Sequence, residues 1–188
     1  MVVVTLAALF VTDARGEVFH SRESALRLAF PACDTVRTET IVLDDVQFAR
    51  VEDRAGARME SRIVRVYVGE RGGEVDGYAF IETHRVRSLP ETVMVVVAAD
   101  GTIRGTHLLA FHEPKEYLPP ERWLAQFDDE RLDGDLALGR DVSGIAGSTL
   151  TAQAVTACVR RAAAVAEICL VTAETASAEA ASASAGTR

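Results

Sequence analysis

Residues 146–161, AGSTLTAQAVTACVRR, begin a helix in an uncommon way. Gly147 is followed by Ser148, Thr149 and Thr151 before an alanine-rich apolar pattern sets in. One capping hydroxyl is enough for a helix start. This one brings three hydroxyls within four residues, beside a glycine that lets a group approach the backbone. The N–H groups of a first helical turn, at the positive end of the helix dipole, suit a phosphate. The same residues would also make a plain hydroxyl-capped start after a glycine turn, so by themselves they mark a seat without naming its occupant.

Other residue types able to do chemistry are less well arranged. His107 and His112 lie at an odd spacing on one predicted strand and point to opposite faces, so a regular strand cannot bring both to one metal. His20 and His84 have no partner motif and read as surface or satisfied histidines. Cys33, Cys158 and Cys169 fit no zinc or haem spacing. Cys158 and Cys169 would lie about 16 Å apart along one helix, too far to bridge. Buried thiols are the expectation, with a disulfide from Cys33 to one of them as the other reading. P-loop, dinucleotide, HExxH and GxSxG patterns do not occur, and Ser148 lacks the second glycine of a nucleophile elbow.

The elements that must position the 146–151 stretch can be read from periodicity and punctuation. SRESALRLAF (21–30) is a short helix capped by Ser21 and stopped by Pro31, and a second helix runs from about Asp44 to Gly56. The period then changes to two: Val64, Val66 and Val68 share one face of a strand, and residues 60–87 form a hairpin through a glycine-rich turn. A second hairpin turns at Asp100-Gly101, a type I′ signal, and the valine run at 93–97 marks a central strand covered on both faces. A proline-marked loop leads to a short helix near Pro120 with Trp123 and Phe127 on one face. The last helix spans about 149–171, its buried stripe being Val155, Cys158, Ala162, Val165 and Cys169. The fold class is α+β: a twisted antiparallel sheet with packed helices and a long C-terminal helix.

The chain has 188 residues and a net charge of −8, which argues against nucleic acid or an anionic membrane surface as main partner. The uncharged run before Asp13 is too short to span a membrane but suits the apolar core of a secretory signal, with cleavage after Gly16; it lacks the usual positive n-region, and a buried strand is the other reading. Residues 17–171 are expected to form a single domain. Residues 172–188 have no large apolar side chain and are expected to be a disordered tail.

The ordered set of motifs resembles the FMN-binding domain found in the Rnf complex and in the sodium-pumping NADH:quinone oxidoreductase. That family closes on Ser-Gly-Ala-Thr-x-Thr-Ser-x-Ala-Val. Gly147, Thr149, Thr151, Ala154 and Val155 match it, while Ala146 and Ser148 depart from it. Asp100-Gly101, Phe111-x-Glu113-Pro114 and Trp123-Leu124-Ala125-Gln126-Phe127 follow the family order, although the threonine between Glu113 and Pro114 and the glycine after it are absent. The resemblance covers about residues 60–170.

The resemblance implies FMN as cofactor, held by its phosphate at Gly147, Ser148, Thr149 and Thr151, with Leu150, Glu113 and Tyr117 beside the ring. In the family FMN is often esterified to the threonine at the position of Thr149 by a flavin transferase that takes it from FAD. Here Ser143 stands where the family has aspartate, which supports binding more strongly than the ester. It further implies an exported electron-carrying domain, periplasmic or on the outer face of the cytoplasmic membrane, with membrane electron-transfer components as redox partners. A cofactor-free binding or sensory module on the same fold is the alternative. A stand-alone flavin reductase ranks last, since nothing resembles a nicotinamide site.

Overall fold

The structure is a computed structural model, and it describes residues 16–133 and 136–171. The region of the expected secretory signal before Gly16 and the expected tail from 172 lie outside the described residues. Its frame is a six-stranded antiparallel sheet in the order β1-β6-β5-β4-β3-β2. The strands are β1 (Glu17–Val18), β2 (Thr35–Val42), β3 (Ile63–Arg71), β4 (Glu74–Arg85), β5 (Pro90–Ala98) and β6 (Ile103–Phe111). The helices are α1 (Arg22–Ala29), α2 (Asp45–Ala55), the one-turn α3 (Glu121–Leu124) and α4 (Thr149–Val165). A wider turn, Ala166–Val171, continues α4 to the end of the predicted helix.

The valine run sits where its composition requires. Val93, Val95 and Val97 pack with α2 and α4 residues on one face of the sheet, while Met94 and Val96 meet Ala25, Ala29 and Phe30 of the α1 region on the other. All five strand residues are at most 2% exposed, as expected of a strand covered on both sides. The buried side of α4 is wider than a narrow stripe: Val155, Cys158, Ala162 and Val165 are buried together with Thr151, Ala152, Val159 and Ala163. Small residues let this helix lie close to both β5 and α2. Arg160 reaches from α4 to the C-terminal end of α2, donating from Nε to the Ala55 carbonyl at 2.5 Å and from Nη1 to Leu136 O at 2.7 Å. A guanidinium at a helix C-terminus complements its negative pole, and here it also fixes where α4 lies.

Three details differ from the sequence reading. Strand β2 was not anticipated, because it is an edge strand exposed along most of both faces and therefore carries no apolar alternation. The short β1 was likewise missed. The β5–β6 connection is not type I′: Gly101 alone has positive φ (90°), and Asp100 instead accepts the Thr102 N–H through Oδ1 at 2.9 Å. Ala98 O accepts from Gly101 N–H, so the turn is a longer one relaxed by a left-handed glycine. The cysteines are all free. Cys33 packs with the α1 face and Cys158 with the α4 face, so the sheet separates them. Among the described residues no helix is long and apolar enough to cross a membrane.

Candidate functional site

The segment before α4 is held by the short helix the sequence pointed to. Trp123 Nε1 donates to the Ser143 carbonyl at 2.6 Å, and Gln126 Oε1 accepts from both the Ser143 N–H (2.9 Å) and its hydroxyl (2.6 Å). Phe127, in edge-to-face contact with Trp123, anchors this latch in the core. Ser143, at the place of the motif aspartate, is thereby tied to the Trp–Phe helix. The chain then turns through Gly147 at φ 79°. Nothing lies within 4 Å of where a Cβ would stand, so the backbone angle, not crowding, calls for glycine.

Ser148 is formally the N-cap of α4, yet its hydroxyl caps nothing. It donates instead to Glu116 O at 3.2 Å, fastening the helix start to the turn Lys115–Tyr117. The N–H of Ser148 goes to Ile145 O, and Ala152 N–H begins the helical ladder on Ser148 O. The N–H groups of Thr149, Leu150 and Thr151 lie ahead of that ladder, and no side chain caps them. Thr149 is exposed, Leu150 is 43% exposed, and Thr151 is buried against the sheet.

Six of the seven residues singled out from sequence meet at one narrow cleft. Gly147, Ser148, Leu150, Thr151, Glu113 and Tyr117 line it together with Val86 and Arg87. Thr149 stands exposed as the first residue of α4. Glu113 has a definite job there: its Oε1 accepts the N–H groups of Arg87 (3.0 Å), Ser88 (2.8 Å) and Leu89 (2.8 Å). Burial would raise this carboxyl, but the three backbone donors and the Arg87 charge outweigh it and hold it below the ordinary glutamate value. Glu113 is thus an ionised brace for the β4–β5 loop. That brace presents Arg87, whose guanidinium lies over the Tyr117 ring at 4.8 Å.

Arg87 and Val86 were missed from sequence. They belong to a loop without a motif, and the cue available was the 87–90 stretch RSLP, which marks a turn but not its direction.

Residues 88–164 match the model of the FMN-binding domain family. That match, over residues 88–164, supports an FMN-binding domain there and FMN as its cofactor. No curated protein matches the chain. The match concerns the domain as such; the likeness to the Rnf and sodium-pump proteins rests on the motifs alone. The family match does not favour the cofactor-free alternative. The residues present suit a phosphate, since an uncapped first turn, a left-handed glycine and an adjacent arginine supply donors and positive charge.

Proposed function

We propose that the open start of α4 holds the FMN phosphate, that Thr149 carries it as a phosphoester, and that the domain passes electrons between protein partners outside the cytoplasm. The observation that carries this reading is the uncapped first turn with an exposed Thr149 beside the left-handed Gly147. The N–H groups of residues 149–151 and Arg87 bind the phosphate, and Leu150 and Tyr117 offer apolar and aromatic surface to the ring. Bound FMN supplies reversible electron transfer through its isoalloxazine ring.

For the ester, a flavin transferase brings FAD. The Thr149 Oγ1–phosphorus bond forms, the pyrophosphate bond of FAD breaks, AMP leaves, and the hydroxyl proton passes to solvent. Export is supported by the uncharged run before Asp13, and membrane redox partners by the family resemblance.

Intact mass after co-expression with a flavin transferase tests the ester. Wild type gains the mass of an esterified FMN that survives denaturation, and Thr149→Val, which keeps the β-branched shape, does not. A bare polypeptide mass with flavin released by acid leaves Thr149 as a hydrogen-bonding residue only. A gain that persists in Thr149→Val places the anchor elsewhere.

A further inference from the structure

A second polar cluster lies beneath α4, away from the FMN cleft. Glu82 and His84 are two apart on β4 and face α4, and His84 pairs across the sheet with Glu91 of β5. Cys158 of α4 completes the group: one ligand atom from each of Glu82, His84 and Cys158 lies within 4.8 Å of the others. His84 is 8% exposed, Cys158 1% and Glu91 0%. The His84 Nε2–Glu91 Oε1 distance is 2.6 Å, whereas His84 Nδ1 is buried without a hydrogen-bond partner. The nearest carboxylate oxygen to Nδ1, Glu82 Oε1, is 3.6 Å away.

The two ring nitrogens of His84 therefore face different surroundings, Nε2 the Glu91 carboxylate and Nδ1 the cluster. In the neutral ring a buried carboxylate at Nε2 accepts the N–H there, which leaves the Nδ1 lone pair directed into the cluster. A histidine whose far nitrogen donates to a carboxylate while its near nitrogen faces a thiol and a second carboxylate has the outer-shell pattern of metal-bound histidines.

We infer that Glu82, His84 and Cys158 form a site for one Zn²⁺ ion, with Glu91 as the positioning residue that orients His84. Thiolate, imidazole and carboxylate together are a zinc donor set, and three protein ligands leave one position for water. A side pocket bounded by Met59, Ser61, Arg65, Glu82, Cys158 and Arg161 gives solvent and ion access. Charges balance when the metal binds. The Cys158 thiol proton leaves to solvent, and Glu82, Glu91 and the thiolate are offset by Zn²⁺ and by Arg161, which is already paired with Glu82.

Absorption difference spectra on the purified, chelator-stripped full chain test this with Co²⁺, followed by displacement with Zn²⁺. One equivalent of Co²⁺ gives a thiolate-to-metal charge-transfer band that Zn²⁺ removes. The band is lost in Cys158→Ser and kept in Cys33→Ser and Cys169→Ser. Glu91→Gln weakens Zn²⁺ binding by about 10–100-fold, as loss of an outer-shell partner does. Glu82→Gln, at a half-buried position and with its folding checked by a melting curve, weakens it by roughly the same factor or more and leaves FMN content unchanged. The inference is overturned if no such band forms, if the band survives Cys158→Ser, or if folded Glu82→Gln binds Zn²⁺ as wild type does. FMN content is read separately, so failure here does not touch the flavin reading.

Discussion

Helices α2 and α4 begin in opposite ways. The start of α2 is closed by its own sequence: Asp44 Oδ1 accepts the Gln47 N–H at 2.7 Å, and Gln47 Oε1 accepts the Asp44 N–H at 3.1 Å. An acidic residue, Asp45, follows in the first turn. Every feature of that capping box satisfies the helix without outside help. The start of α4 has serine at the same formal position, but the hydroxyl is turned to Glu116 O, the first turn holds no acid, and the N–H groups stay uncapped. A self-satisfied start serves stability; an unsatisfied one, beside a braced loop and a left-handed glycine, leaves free the donors that the proposed reading gives to the flavin phosphate.

The largest effect on this contrast should come from the brace. Glu113→Ala leaves three N–H groups without their acceptor and is expected to lower stability by about 2–4 kcal/mol, measured by denaturant unfolding, while α2 stays intact. The same carboxyl sets a pH dependence. Being held below its ordinary value of 4.5, it contributes fully above that pH and loses its contribution as pH falls through the lower folded value. Glu113→Gln should flatten that acid limb; an unchanged limb would mean that other carboxyls govern it.

Next comes Gly147→Val. A β-branched residue at φ 79° is strained by about 1–3 kcal/mol, and the turn that opens the cleft should relax. Thermal melting should show the loss and FMN occupancy should fall; equal occupancy in a folded variant would remove Gly147 from the seat.

The smallest pair compares the two N-caps directly. Asp44→Ala should cost about 1 kcal/mol, as cap removal does, with FMN occupancy unaltered. Ser148→Ala removes one tether to Glu116 O and no cap, so it should cost about 0.5–1 kcal/mol. If Ser148→Ala proved the costlier change by a wide margin, Ser148 would be a structural cap in solution and the contrast would fail.

What could be read from sequence follows from where physics leaves local marks. Ser21, Pro31, Asp44 and Gly56 bound α1 and α2 through their own capping or helix-stopping chemistry, so those helices were legible. The valines of β5 were legible because burial on both faces removes polar alternation. Strand β2 was not, since its order comes from pairing with β3 while its side chains remain in solvent. The same division holds at the sites. Gly147 through Thr151 are contiguous, and the motif carries them. Arg87 enters the cleft only because Glu113 holds its loop, and the Glu82–His84–Cys158 cluster depends on a strand and a distant helix meeting across the core. Glu82 and His84 share a face by period two, but the spacing to Cys158 carries no signature.

The most direct measurement of the central claim compares FMN with riboflavin, which lacks the phosphate, by flavin fluorescence titration of the chain produced without a flavin transferase. If the open start of α4 is the phosphate seat, FMN should bind about 100-fold or more tightly than riboflavin, the worth of two or more charge-assisted hydrogen bonds. Thr149→Asp, which copies the acidic first turn of α2, should erase that difference while leaving the protein folded. Equal affinity of the wild-type chain for FMN and riboflavin, or a preference for FMN that survives Thr149→Asp, would contradict it.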